Sequence, residues 1–209
     1  MRIPVAREGW PFILVPAALA AVALVLGRPI IAALLFVLAL FLLSFFRDPE
    51  RVPEGGEETI VSPADGTVLS VAPAPEAPPG AARRLSIFMS VFNCHVNRAP
   101  ISGDLADYAY VRGRLRAAFH EKASTENEQN RISLTSTRGV VVFKQIAGAL
   151  ARRIVFYPRV GERLWRGQRI GMIRLGSRVD LFVPDDAEVL VGRGDRVRAG
   201  KTALARWKT

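Results

Sequence analysis

Few side chains in this 209-residue sequence can do chemistry, and their scarcity narrows the reactions open to it. There are two histidines, His95 and His120, and one cysteine, Cys94. Two imidazoles do not furnish the ligands of an ordinary zinc site, so a metal-dependent hydrolase is set aside and no metal is expected. A single cysteine rules out an internal disulfide and suits a reducing compartment. Lipoyl or biotin carriage needs a lysine displayed on a hairpin, and the stretch from Val179 to Arg193 has none. What remains is a serine preceded by glycine, Gly176-Ser177. A serine hydroxyl attacks once a base takes its proton, and a glycine on its amino side presents an unhindered carbonyl. His95 and Asp65 are the other side chains whose types could take part, one as a base and one as an acid. Read without context, Gly-Ser is a common turn pair, His95 a hydrogen-bonded histidine in a β-core, and Asp65 a turn residue before Gly66.

Two regions of different composition must position these groups. From Trp10 to Phe46 the one charged residue is Arg28, flanked by two apolar stretches. Each has about 17–18 residues, roughly 26 Å of helix against a ~30 Å hydrocarbon core, too much for a signal peptide. Residues 1–46 therefore read as a membrane-anchoring helical hairpin. Arg2, Arg7, Arg47 and Arg51 flank it, which by the positive-inside rule puts the rest of the chain on the cytoplasmic side of the cell (inner) membrane. The net charge is +10, and beside an anchor that charge favours an anionic lipid surface. No basic run interleaved with aromatics is present, so nucleic acid is not an expected partner.

Asp48 to Glu58 is a Pro/Gly/Glu linker, and residues 47–209 form one β-rich catalytic domain. Strands are expected at Thr67–Val71, Leu85–Phe92, Val140–Ile146, Ile154–Tyr157, Arg178–Val183 and Glu188–Val191, with a Pro/Ala loop over Ala72–Ala82. Gly161-Glu162-Arg163-Leu164-Trp165-Arg166-Gly167-Gln168 repeats as Gly194-Asp195-Arg196-Val197-Arg198-Ala199-Gly200-Lys201. Such paired half-motifs suit a hybrid-motif or lipoyl-like β-sandwich. The fold class is thus mainly β with an N-terminal α-helical membrane hairpin. Folds of that kind carry cofactors, cut peptidoglycan or serve as adaptors, so a membrane-anchored adaptor stays open at this point.

Four ordered segments carry a resemblance: Ser62-Pro63-Ala64-Asp65-Gly66, Phe92 to Pro100 (FNCHVNRAP), Lys122 to Asn130 (KASTENEQN), and Leu175-Gly176-Ser177. With the apolar amino terminus they resemble the phosphatidylserine decarboxylase proenzyme family, its short prokaryotic type in particular. The resemblance implies that the Ser177 hydroxyl attacks the Gly176 carbonyl to give an ester. Elimination then splits the chain into 1–176 (β chain) and 177–209 (α chain), and Ser177 becomes a covalent pyruvoyl group, the sole cofactor. That ketone would form a Schiff base with phosphatidylserine and release CO2 to leave phosphatidylethanolamine. The two chains would remain a heterodimer, with higher oligomers open. His95, held in one tautomer by Asp65, would be base for cleavage and proton donor in turnover. Larger relatives have a second histidine three positions after the first and a threonine after the serine. Here these positions are Arg98 and Arg178, either substrate phosphate or carboxylate ligands or ordinary solvated arginines. His120 receives no role.

Overall fold

The computed structural model describes residues 4–74, 77, 79–114, 116–117, 123–148, 153–174 and 177–208. His120 and Gly176 lie outside them, as does Leu175. The chain divides into two compact units, Met1–Glu50 and Arg51–Thr209.

The first unit is a helical hairpin. A 3-10 turn at Arg7–Gly9 leads into α1 (Trp10–Val25), and α2 (Pro29–Phe45) follows a turn in which Gly27 takes φ +69°. Ile13, Pro16, Ala20 and Ala23 form one buried stripe on α1, and Ala32 and Ala39 are buried on α2. Small residues on the facing stripes let two helices approach closely. The leucines and valines of the other faces are exposed. Ala6 N–H donates to Phe46 O (2.8 Å) and Asp48 N–H to Pro4 O (2.7 Å), so both ends of the hairpin lie on one side. Arg7–Val25 is long and apolar enough to cross a membrane, and Pro29–Phe45 is shorter. The hairpin is consistent with membrane association.

The second unit is built on antiparallel strands: β1 (Thr59–Val61), β2 (Gly66–Pro73), β3 (Ala81–Met89), β4 (Val96–Arg98), β5 (Gly103–Val111), β6 (Gln129–Ser136), β7 (Gly139–Ala147), β8 (Ile154–Phe156), β9 (Arg163–Leu164), β10 (Arg169–Ile173), β11 (Ser177–Pro184), β12 (Ala187–Val189), β13 (Arg196–Val197) and β14 (Ala203–Trp207), with, among the described residues, one short helix, α3 (Ala123–Glu126). The large sheet runs β13-β2-β3-β11-β7-β6-β5-β9, and two small sheets run β1-β14-β12 and β4-β10-β8. Alternation sends Leu85 and Ile87, Ile132 and Leu134, Val141 and Phe143, and Val179, Leu181 and Val183 into one core. The chain is mainly β, as expected. The Pro/Ala loop is shorter than Ala72–Ala82, because Pro73 still pairs with Arg83 at the open end of β2 and β3.

The topology is a nested duplication. Strands β1, β2, β3, β11, β12, β13 and β14 make the same pairings among themselves as β4, β5, β6, β7, β8, β9 and β10. The inner copy is inserted between β3 and β11 of the outer one, and β7 and β11 pair at the centre. Equivalent turns make equivalent bonds. Val68 N–H donates to Asp195 O as Leu105 N–H does to Glu162 O, both at 2.9 Å. Gly200 N–H donates to Ser62 O (2.7 Å) as Gly167 N–H does to Ala99 O (2.9 Å). The repeated glycines match too: Gly161 and Gly194 at φ +88° and +96°, Gly167 and Gly200 at +81° and +66°. That left-handed backbone is open to glycine at little cost, which is why the half-motif keeps it twice.

Candidate active site

Ser177 is the first residue of β11, paired with Met89 of β3 on one side and Ala147 of β7 on the other. It is fully buried on the core face, and its hydroxyl donates to the Met89 thioether at 3.3 Å. Beyond Met89 the chain makes a tight turn, in which Asn93 Oδ1 accepts from Ser90 N–H and Ser90 Oγ, each at 2.8 Å. The turn delivers His95, also fully buried, whose carbonyl accepts from Ile173 N–H at 3.4 Å. Serine and histidine therefore sit at the same end of β3. His95 Nδ1 lies 3.0 Å from the Asn93 carbonyl. A carbonyl accepts and never donates, so Nδ1 carries a proton, and in the neutral ring the basic lone pair is on Nε2.

Asp65 is not brought to His95. Its carboxylate accepts both Arg51 guanidinium nitrogens, the Nη2 bond at 2.9 Å, and the Ala199 N–H at 2.7 Å. The duplication explains the position. Ser102 is its counterpart, and Ser102 Oγ accepts the Arg166 N–H at 3.1 Å as Asp65 accepts Ala199. Each ties a half-motif turn to the strand it packs on. His95 Nδ1 thus meets the Asn93 carbonyl, where Asp65 is the partner expected from the sequence.

Both arginines are buried, against the solvated alternative. Arg98 Nη1 donates to Gly167 O at 2.9 Å, and its stem runs so close to Gly200 that a Cβ there would lie 2.4 Å from Arg98 Cδ. Arg178 faces away from Ser177, because adjacent strand residues point to opposite faces. Its Nε donates to Asp180 Oδ1 and its Nη2 to Ser86 Oγ, both at 2.6 Å, while Ser124 of α3 donates to Asp180 Oδ2 at 2.5 Å. These surroundings lend no support to a substrate-phosphate role for either arginine.

A chain of buried amides was not anticipated. Tyr108 O–H donates to Asn130 Oδ1 (3.1 Å), Asn130 Nδ2 to Gln145 Oε1 (3.1 Å), Gln145 Nε2 to Asn97 Oδ1 (2.8 Å), and Asn97 Nδ2 to Met89 Sδ (3.8 Å), the sulfur that Ser177 also meets. Burial raises the Tyr108 phenol above the ordinary tyrosine value, so it stays a donor at neutral pH. The available signal was Asn130 and Gln145 at inward positions of β6 and β7, where alternation calls for apolar residues. Asn127, in the same motif, spans Arg116 O (2.8 Å) and Ala147 O (2.7 Å) and so braces the residue beside Ser177.

A family model described as phosphatidylserine decarboxylase matches residues 38–205. A Trichlorobacter lovleyi protein named phosphatidylserine decarboxylase proenzyme is 49% identical over 207 residues, covering 95% of this chain and 94% of its own. Proteins of the same name from Symbiobacterium thermophilum and Geotalea uraniireducens are 46% and 44% identical, over 99% and 96% of this chain and 97% and 95% of theirs. The chain belongs to the phosphatidylserine decarboxylase family.

Proenzymes of this family use a covalent pyruvoyl group. Ser177 fits its source, since strand pairing on both sides holds residue 177 without help from the peptide bond before it.

Proposed function

We propose that this chain is a proenzyme that cuts itself at Gly176–Ser177, turns Ser177 into pyruvoyl, and decarboxylates phosphatidylserine to phosphatidylethanolamine. The relationship along nearly the whole chain to proteins of that name carries the reading. The site geometry supports it, with a buried serine at the first position of a doubly paired strand and a histidine at the same strand end. When formed, the ketone supplies an electron sink for loss of CO2 from an amine-bearing substrate.

The remaining steps belong to side chains. His95, with Nδ1 protonated against Asn93, offers Nε2 to take the Ser177 hydroxyl proton in self-cleavage and to return a proton in turnover. The Met89 thioether is a weak acceptor and gives up that hydroxyl readily. Asp65, Arg98 and Arg178 hold the frame: Asp65 the outer half-motif turn, Arg98 the inner one, and Arg178 the far face of β11. The catalytic domain is residues 47–209 behind a membrane hairpin at 1–46. Both hairpin ends lie on one side and carry Arg7 and Arg47, which by the positive-inside rule supports a body at the cytoplasmic face of the inner membrane, where a net charge of +10 favours an anionic lipid surface.

Intact mass of the purified full-length protein tests the reading. Two chains are expected, 1–176 and 177–209, the shorter with a blocked amino terminus. Ser177→Ala should remain one chain and release no CO2 from phosphatidylserine. A wild-type preparation that stays one uncut chain would refute the proposal.

A further inference from the structure

Asn97 is fully buried, and among the described residues its NH2 group meets the Met89 sulfur at 3.8 Å. An amide NH2 carries two donors, and a thioether is a poor acceptor for even one. Burying such a group is costly unless an acceptor is supplied. The other end of the same amide is fixed well. Asn97 Oδ1 accepts from Gln145 Nε2, Gln145 is held in turn by Asn130, and Asn130 by Tyr108. Every amide in the chain points its NH2 the same way, toward Met89 and Ser177. Aligned hydrogen bonds polarise one another, so the final N–H is the strongest donor of the series.

A donor that has only a thioether acceptor among the described residues, and meets the same sulfur as the reacting serine, is an arrangement suited to stabilising charge that appears only during reaction. The charge appears on one atom. Ser177 Oγ bonds to the Gly176 carbonyl carbon, its proton passes to His95, and the carbonyl π electrons move onto oxygen. Collapse then breaks the carbon–nitrogen bond, and the nitrogen takes the proton back. We propose that Asn97 is a catalytic residue of self-cleavage, donating an N–H to that oxyanion, with Gln145 and Asn130 as its positioning residues. The inference rests on self-cleavage at Gly176–Ser177. It assigns the buried amides of β4, β6 and β7 to ester formation, ahead of any lipid chemistry.

The test follows the splitting of full-length protein after synthesis, on denaturing gels, with and without added hydroxylamine. Hydroxylamine cleaves an ester wherever one has formed and leaves an amide intact. Asn97→Leu keeps the shape and removes the donors. It should melt cooperatively, split about 100–1,000-fold more slowly than wild type, and gain nothing from hydroxylamine. Gln145→Met leaves Asn97 in place without its anchor and should slow splitting about 10–100-fold. A wild-type splitting rate in Asn97→Leu overturns the proposal. So does slow splitting that hydroxylamine restores, because the defect would then follow ester formation. If Asn97→Leu fails to fold, Gln145→Met decides, and an unchanged rate there overturns it. A wild-type chain that never splits removes the proenzyme reading itself, a result distinguishable from both.

Discussion

Removing the Asp180 carboxylate should destabilise the β-body more than any surface substitution. Asp180 is fully buried on the face of β11 opposite Ser177, and it accepts from Arg178 Nε at 2.6 Å and Ser124 Oγ at 2.5 Å, with Arg84 Nε 3.9 Å away. Asp180→Ala leaves a buried guanidinium without its carboxylate, and breaking one side of a buried pair costs about 3–5 kcal/mol. At about 2–4 °C per kcal/mol for a body of this size, the melting midpoint should fall by about 6–20 °C. The assay is thermal unfolding of the full-length chain in detergent micelles, followed by circular dichroism. Arg178→Met combined with Asp180→Leu removes both charges together and should recover most of the loss, since well-packed apolar replacements of buried pairs are often neutral. A fall below about 3 °C in Asp180→Ala, the scale of a solvated contact, would refute the burial argument. A double variant no better than the single one would refute the pairing.

Two further outcomes are expected. Asp65→Asn keeps an acceptor for the Ala199 N–H and loses the charge opposite Arg51, so it should lower stability by about 1–2 kcal/mol in denaturant melts yet still split like wild type; failure to split would return Asp65 to the proton relay. Burial raises the Tyr108 phenol, and burial with a hydrogen bond to Glu128 raises Tyr110, both from a starting value of 10.0. The unfolded chain therefore sheds these protons first as pH climbs, so their contribution is complete below about pH 10 and lost above it. Denaturant midpoints should fall beyond pH 10, less steeply in Tyr108→Phe, and an identical fall in that variant would exclude Tyr108 as a source.

The strands that the sequence revealed are those with apolar residues at alternate positions, above all β7 and β11. The missed ones break the alternation for identifiable reasons. In β5 the register slips between Leu105 and Asp107, so its inward and outward positions exchange partway along. In β6 the inward Asn130 serves the amide chain rather than the apolar core. In β10, Gly171 sits where a Cβ would come within 2.0 Å of Val155 O, and a close approach of that kind reads as a turn when only sequence is seen. The half-motif pair was legible because both copies keep their glycines. Its upstream partner was not: Ser62-Pro63-Ala64-Asp65-Gly66 and Ala99-Pro100-Ile101-Ser102-Gly103 share only Pro and Gly. From sequence Asp65 reads as an acid free to serve a histidine, and the turn-fastening bond it shares with Ser102 is not legible there.

The nested duplication also gives a reason for the place of the proposed cut. In the inner copy β6 passes to β7 through Thr137-Arg138, with Ser136 paired to Gly139. In the outer copy the same step, from Met89 to its cross-strand partner Ser177, detours through the whole inner copy. A break just before Ser177 thus severs the connection between copies and no strand within either. Every pairing of the carboxyl-terminal segment lies after the cut: β11 between β3 and β7, β13 on β2, and β14 between β1 and β12. That segment also buries Val179, Leu181, Val183, Leu204 and Trp207 in the common core, at about 1.5–3 kcal/mol for each large apolar side chain. Backbone scission at this seam can therefore drive the chemistry of residue 177 while the fold around it stays closed, which a cut inside any of the paired strands would not allow.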